Sequence, residues 1–182
     1  MNGYYYLMTS LPVLSFKEGG KVPFTKESFL KRIDGFVPQR DKKNIENLLN
    51  GKSVNTTFMK EYNALSSSIE RAVLHYRALR LGKTDSKYIL KTPESSDIMK
   101  LAKEAVEAEN PYESEMKIFE LYWKALDKLS AFHFADFLTL SVYALKLRLL
   151  FRKTAFDKQK GRQEATRLFS SYSVLEDILN EQ

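Results

Sequence analysis

Apolar residues along this chain recur mostly at steps of three and four, the spacing of one helix face. The clearest series runs Phe58, Tyr62, Leu65, Ile69, Ala72, Val73, Tyr76 and then Ala78 or Leu79. It predicts a long helix opened by Thr56 or Thr57 and stopped at Gly82. Upstream, Thr25 caps a shorter pattern of Phe29, Leu30 and Ile33 that Gly35 ends. Another short helix is predicted from about Asp41 to Leu49, with Ile45, Leu48 and Leu49 on one side and Asn50-Gly51 as its stop.

Downstream, an Ala-, Lys- and Glu-rich segment from Ser95 or Asp97 to about Glu109 predicts a further helix. Pro111 stands where the first residue of the next one belongs, after Asn110. Residues 112–154 read as one very long helix or two abutting ones, with a break allowed at Ser130 and the aromatic cluster Phe132, Phe134 and Phe137. A last helix is predicted from about Asp157 to Leu179, its stripe made of Leu168, Tyr172, Leu175 and Ile178 or Leu179. Tyr4–Met8 is too short for periodicity to choose between a buried strand and a turn and a half of helix. Pro12, Gly19-Gly20 and Pro23 mark loop. The pattern predicts an all-α bundle of six or seven helices with long C-terminal helices. It forms a single domain over residues 1–182, on which the mixed segment 1–24 packs. No clear internal repeat is found.

The stretch FADFLTLSVYALKLRLLF, from Phe134 to Phe151, sharpens this picture. After Asp136 it carries no charge until Lys146, and then turns basic while staying apolar. A membrane-spanning helix needs about 20 mostly apolar residues, and an aspartate inside it is costly. The segment is therefore expected to be a helix buried in protein. The N-terminus has no Lys or Arg before its apolar run, so it lacks the charged start of a secretory signal.

Composition adds constraints. The chain has 182 residues, 43% of them hydrophobic and 29% charged, which is globular usage. It contains no cysteine, which removes disulfides, thiol nucleophiles and thiolate metal sites. The net charge of +6 is unevenly spread. From Lys146 to Arg167 eight basic residues face two acidic ones, whereas Asp85 to Asp127 holds ten acids against six bases. Such asymmetry is the footprint of an acidic protein partner, an anionic membrane surface or nucleic acid, or simply of a solvated basic face.

Candidate chemistry is sparse. The only histidines, His75 and His133, fall on different segments. His133 and Asp136 are spaced i, i+3, but the paired Glu-x-x-His of a di-metal bundle is missing. No metal or cofactor is expected, and His133 is expected as a hydrogen-bonded core residue. Ser66, Ser67 and Ser68 read as solvent-facing or small packing residues of a helix. Gly19-Gly20-Lys21 reads as a surface turn without a phosphate loop. Glu104, Glu107 and Glu109 look like a solvated face. Phe119, Tyr122, Trp123, Leu126 and Leu129 sit at helical spacing, so they are expected in the core rather than stacked on bases. No catalytic residue is assigned.

Two segments carry a resemblance. LSVYALKLRLLFRK resembles the C-terminal signature of the C/d-type family of V-type ATPase components, with Tyr143, Lys146, Arg148 and Leu149 as the matching residues. The opening YYYLMTSLPVLSF, followed by FTKESFLKRIDGF, is similar to a small bacterial family encoded among V-type ATPase genes. The resemblance covers about a third of the chain. It implies a non-catalytic helical adaptor or central-stalk component of a rotary ATPase or ATP synthase. Such a protein links the shaft to the membrane rotor ring, is cytoplasmic and peripheral to the inner face of the membrane, and takes part in ion transport without chemistry of its own. Its partners are other V-type ATPase subunits. The expected partner-binding residues are Lys146, Arg148, Arg152 and Lys153, with Lys158, Lys160 and Arg162 behind them. The rival reading is a helical nucleic-acid-binding protein using the same basic segment, 146–167. It has no recognised binding module and is the less favoured.

Overall fold

The computed structural model describes residues 3–16, 22–85 and 87–156. These residues form seven helices and, among the described residues, no strand. The helices are α1 (Gly3–Ser10), α2 (Lys26–Ile33), α3 (Gln39–Leu49), α4 (Thr57–Arg80), α5 (Ser96–Val106), α6 (Pro111–Ser130) and α7 (Phe137–Ala155). They pack side by side as an all-α bundle, as the hydrophobic pattern predicts. The helix expected over 157–179, and with it Lys158, Lys160 and Arg162, lies outside the described residues, as does the Gly19-Gly20-Lys21 turn.

Four of the seven helices are opened by a side-chain cap. The Thr25 hydroxyl accepts from the Ser28 N–H while the Thr25 N–H donates to the Ser28 hydroxyl, closing a capping box on α2. The Thr56 hydroxyl accepts from the Met59 N–H at the start of α4, and Asn110 accepts from the Glu113 N–H ahead of Pro111. The segment Tyr4–Met8 is helical. Gly3 lets α1 begin hard against the 36–37 turn, since a Cβ there would stand 2.1 Å from the Phe36 carbonyl oxygen.

Residues 112–154 are two helices, parted by Ala131–Asp136. Ala135 takes a left-handed φ of 52° in this loop, and Asp136 restarts the chain as α7 with its own capping box to Thr139. The loop carries His133 outward. It is an exposed residue whose Nδ1 lies 2.7 Å from Asp136, and not the core histidine expected from the sequence. The break removes the helical turn that would have folded it inward.

Burial pushes the Asp136 carboxyl up, but the Thr139 N–H, His133 and the Thr139 hydroxyl together hold it below the ordinary value. Its contribution is thus present at neutral pH and is lost as pH falls through its folded pKa. Asp136→Ala is expected to cost about 1 kcal/mol at pH 7. Urea unfolding should show that difference shrinking below about pH 4, the unfolded carboxyl value.

The core has two parts. The larger is built from Leu7, Phe29, Ile33, Ile45, Leu48, Phe119, Leu126, Leu140 and Leu147, contributed by α1, α2, α3, α6 and α7. Phe29 stacks on Tyr143 with ring centroids 5.5 Å apart. The smaller part joins Ile69, Ala72 and Val73 of α4 to Ile98 and Ala102 of α5 and to Leu121 and Ala125 of α6. Helix α7 is the element the Phe134–Phe151 stretch predicts, with Leu140 to Leu145 buried without interruption. No described helix is long and apolar enough to cross a membrane.

Candidate functional site

Helix α7 holds the four described members of the predicted basic set, and each meets something within the chain. Lys146 is largely covered. Its ammonium pairs with Asp127 of α6 and sits 4.9 Å from the centroid of the Trp123 ring. Lys153 lies 4.3 Å from the Phe16 ring centroid and donates to the Phe16 carbonyl, tying the segment after α1 to the end of α7. These two cations are fold contacts. Trp123 and Phe16 pack on each other at 5.5 Å, so the two lysines cover one aromatic seam.

Arg148 and Arg152 differ from the lysines. They stand one helical turn apart on α7 and line a cavity of about 180 Å³. Tyr62, Ser66 and Glu70 of α4, Tyr122 of α6, and Leu145 and Leu149 complete its wall. Among the described residues neither arginine has a carboxylate within ion-pairing distance. Each guanidinium is braced from behind instead. Arg148 reaches the Leu48 carbonyl at 3.5 Å, over the C-terminal turn of α3. The turn can sit that close because Gly51, at φ +77°, has no Cβ. One placed there would lie 3.0 Å from the Arg148 Nη2. The Arg152 guanidinium rests 4.8 Å from the Phe119 ring centroid.

The opposite wall is a row of hydroxyls. Ser66 Oγ and the Tyr122 hydroxyl share a hydrogen bond of 3.1 Å, and Ser66 Oγ also donates to Glu70 Oε1 at 3.1 Å. Burial pushes the Tyr62 phenol up, against the opposing pull of Arg148 and Arg152. Burial also pushes the Tyr122 phenol up, partly offset by its hydrogen bond with Ser66. Both phenols therefore keep their protons at neutral pH: that of Tyr122 goes to Ser66 Oγ, whose own proton goes to Glu70, and that of Tyr62 is left to donate into the cavity. The cavity holds two fixed cations, one carboxylate and three hydroxyls, of which that of Tyr62 is uncommitted among the described residues, an arrangement suited to holding an anion by charge-assisted hydrogen bonds.

The predicted basic residues supply two members of this cavity. Tyr62, Ser66, Glu70 and Tyr122 are members that the sequence reading assigns to no site. The signal for three of them lies in their spacing, since 62, 66 and 70 fall one turn apart on α4. Tyr62 reads as part of the apolar stripe and Ser66 as a small packing residue, which hides the polar row.

Elsewhere His75 accepts a hydrogen bond from the Leu90 N–H at 3.2 Å, which makes it a brace for the α4–α5 loop. Among the described residues no three His, Asp or Glu side chains converge as a metal site would need. An apolar groove of about 780 Å³ runs between α5 and α6, floored by Leu65, Ile98, Leu101, Leu121, Ala125 and Leu129.

In class, then, this is an all-α helical bundle with a polar cavity beneath its last described helix. Compared with protein-family models, with curated proteins and with solved structures, the chain matches none.

Proposed function

We propose that this chain is a non-catalytic helical adaptor, a central-stalk component of a rotary V-type ATPase that links shaft and rotor ring. In this reading it sits on the cytoplasmic side, peripheral to the membrane, and its partners are other subunits of that machine. The resemblance at Tyr143, Lys146, Arg148 and Leu149 names the machine. One structural observation carries the adaptor role: an exposed aromatic patch where the α6–α7 loop meets α1. Phe132 is wholly exposed and Phe134 is 71% exposed. Tyr5, itself half exposed, lies edge-on to Phe134 at 6.0 Å and to Tyr6 at 5.9 Å. Large apolar side chains gathered on one exposed surface mark a contact site. The occupant that suits it is the apolar surface of a neighbouring protein of the complex, with aromatic anchors at its centre.

The basic residues then divide their work. Arg152 is exposed near the far end of α7, about four helical turns from the patch, with Arg148 one turn before it, while Lys146 and Lys153 keep α7 fixed to α6 and to Phe16. Of the four described cations, two are thus taken up within the fold, which leaves Arg148 and Arg152 for the phosphate contacts that the nucleic-acid alternative needs.

Affinity purification of the tagged chain from native membranes, under conditions that keep the rotary complex whole, is expected to bring down ATPase subunits. Phe132→Ser with Phe134→Ser should abolish that recovery with the melting temperature unchanged. Failure of the unaltered chain to recover any ATPase subunits would refute the assignment.

A further inference from the structure

The cavity beneath α7 goes beyond the adaptor reading, because a wall of this chemistry is not needed to hold a helical spacer together. Two guanidiniums one turn apart repel each other, and like charges at this spacing weaken a helix unless something sits between them. The described residues supply no carboxylate to either. Glu70 borders the same space and accepts from Ser66, yet no ion pair joins it to either arginine. Both arginine heads are held in position from outside the cavity, by the α3 turn and Gly51 on one side and by the Phe119 ring on the other. A pre-positioned pair of guanidiniums facing the uncommitted Tyr62 hydroxyl is a receptor rather than a packing solution.

We propose that this cavity is a binding site for a small tetrahedral oxyanion of the phosphate class, held by the guanidiniums of Arg148 and Arg152 and by the Tyr62 hydroxyl. Arg presents planar, forked donors that match phosphate oxygens two at a time, and two such forks outweigh the single Glu70 charge. Size limits the ligand. About 180 Å³ is many times the roughly 15 Å³ that one water needs, but below the roughly 300 Å³ at which pockets for larger organic ligands begin. Free phosphate or sulfate fits, and a nucleotide does not fit within it. Leu145 and Leu149, both buried, form the apolar part of the wall, while Arg152 and Glu70 stand at the exposed mouth.

The test uses the full chain and inorganic phosphate, titrated at low salt and followed by calorimetry and by the arginine Nε–Hε resonances. Saturable one-to-one binding is expected, with two arginine side-chain signals moving together and with sulfate competing. Arg152→Gln should weaken binding about ten- to a hundred-fold, the usual worth of a charged hydrogen bond. Arg148→Gln should act alike, and Tyr62→Phe should weaken binding less. Lys103→Gln, on α5 and away from the cavity, should leave it unchanged. Because Arg148 also touches the α3 turn, circular dichroism checks its fold, and Arg152→Gln with Tyr62→Phe decides the matter if that variant does not fold. Linear, unsaturated shifts in the unaltered chain, or undiminished affinity in Arg152→Gln, would overturn the site. Neither result depends on any partner protein, so the adaptor role stands or falls separately.

Discussion

Leu147→Glu is expected to leave the chain largely unfolded at pH 7. Leu147 is wholly buried in the larger core, between the partly covered Lys146 and Arg148 of α7. A carboxylate placed there loses its water and gains no partner, and a buried Glu responds by raising its pKa to about 8–9. Holding it protonated at pH 7 costs about 1.4 kcal/mol for each unit between the free value near 4.3 and pH 7, or roughly 4 kcal/mol. The lost leucine burial adds about 2 kcal/mol. Together these approach the whole stability of an ordinary domain. The sign with pH is definite. The native state binds the extra proton, so the defect should ease as pH falls towards 4 and worsen as it rises. Chemical denaturation of the variant across that range, beside Leu147→Met as a volume-conserving control, measures it.

Phe29→Ala is the second large expected effect. Phe29 is fully buried and packs between Phe24 at 5.7 Å and Tyr143 at 5.5 Å. Removing its ring leaves a cavity flanked by side chains that are themselves anchored. The Tyr143 hydroxyl, for one, donates to the Pro12 carbonyl at 2.9 Å and cannot swing in without breaking that bond. Burial also pushes the Tyr143 phenol up to about 12, so it remains a donor at any ordinary pH. The expected loss is about 3–5 kcal/mol, read from the denaturant midpoint at constant slope. The same change at Phe132, which touches mostly solvent, should stay within about 0.5 kcal/mol. A loss at Phe29 below about 1 kcal/mol would mean that α2 does not seat on α7 as described.

Where a helix end carries its own local signal, the sequence and the structure agree. Thr25, Thr56, Asn110-Pro111 and Gly82 are such signals, and α2, α4 and α6 begin or end beside them. Helix α5 runs shorter than its composition predicts, stopping at Val106 rather than Glu109. Its end is set from a distance, by Arg80 of α4 donating to the Val106 carbonyl, and no spacing within the segment could show that. Pro111 adds to this by keeping Asn110 extended. Helix α1 is ambiguous in the sequence because only Leu7 within it is fully buried, so it has no stripe to read.

The cavity is legible only by halves. Arg148 and Arg152 stand out by charge, and Tyr62, Ser66 and Glu70 share one face by arithmetic. That those two rows face each other is a product of how α4, α6 and α7 pack, across some 80 residues of chain. Their meeting also depends on Phe119 and Gly51, neither of which carries a polar side chain.

Helix α6 is apolar on two sides. Phe119 and Leu126 serve the larger core, Leu121 and Ala125 the smaller, and the Tyr122 ring packs against both. It works as a party wall. Turning it by even a fraction of its circumference would open a gap in one room while crowding the other, so neither half can yield alone. A load applied at the aromatic tip beyond Ser130 would therefore be passed on to both sides of the bundle at once.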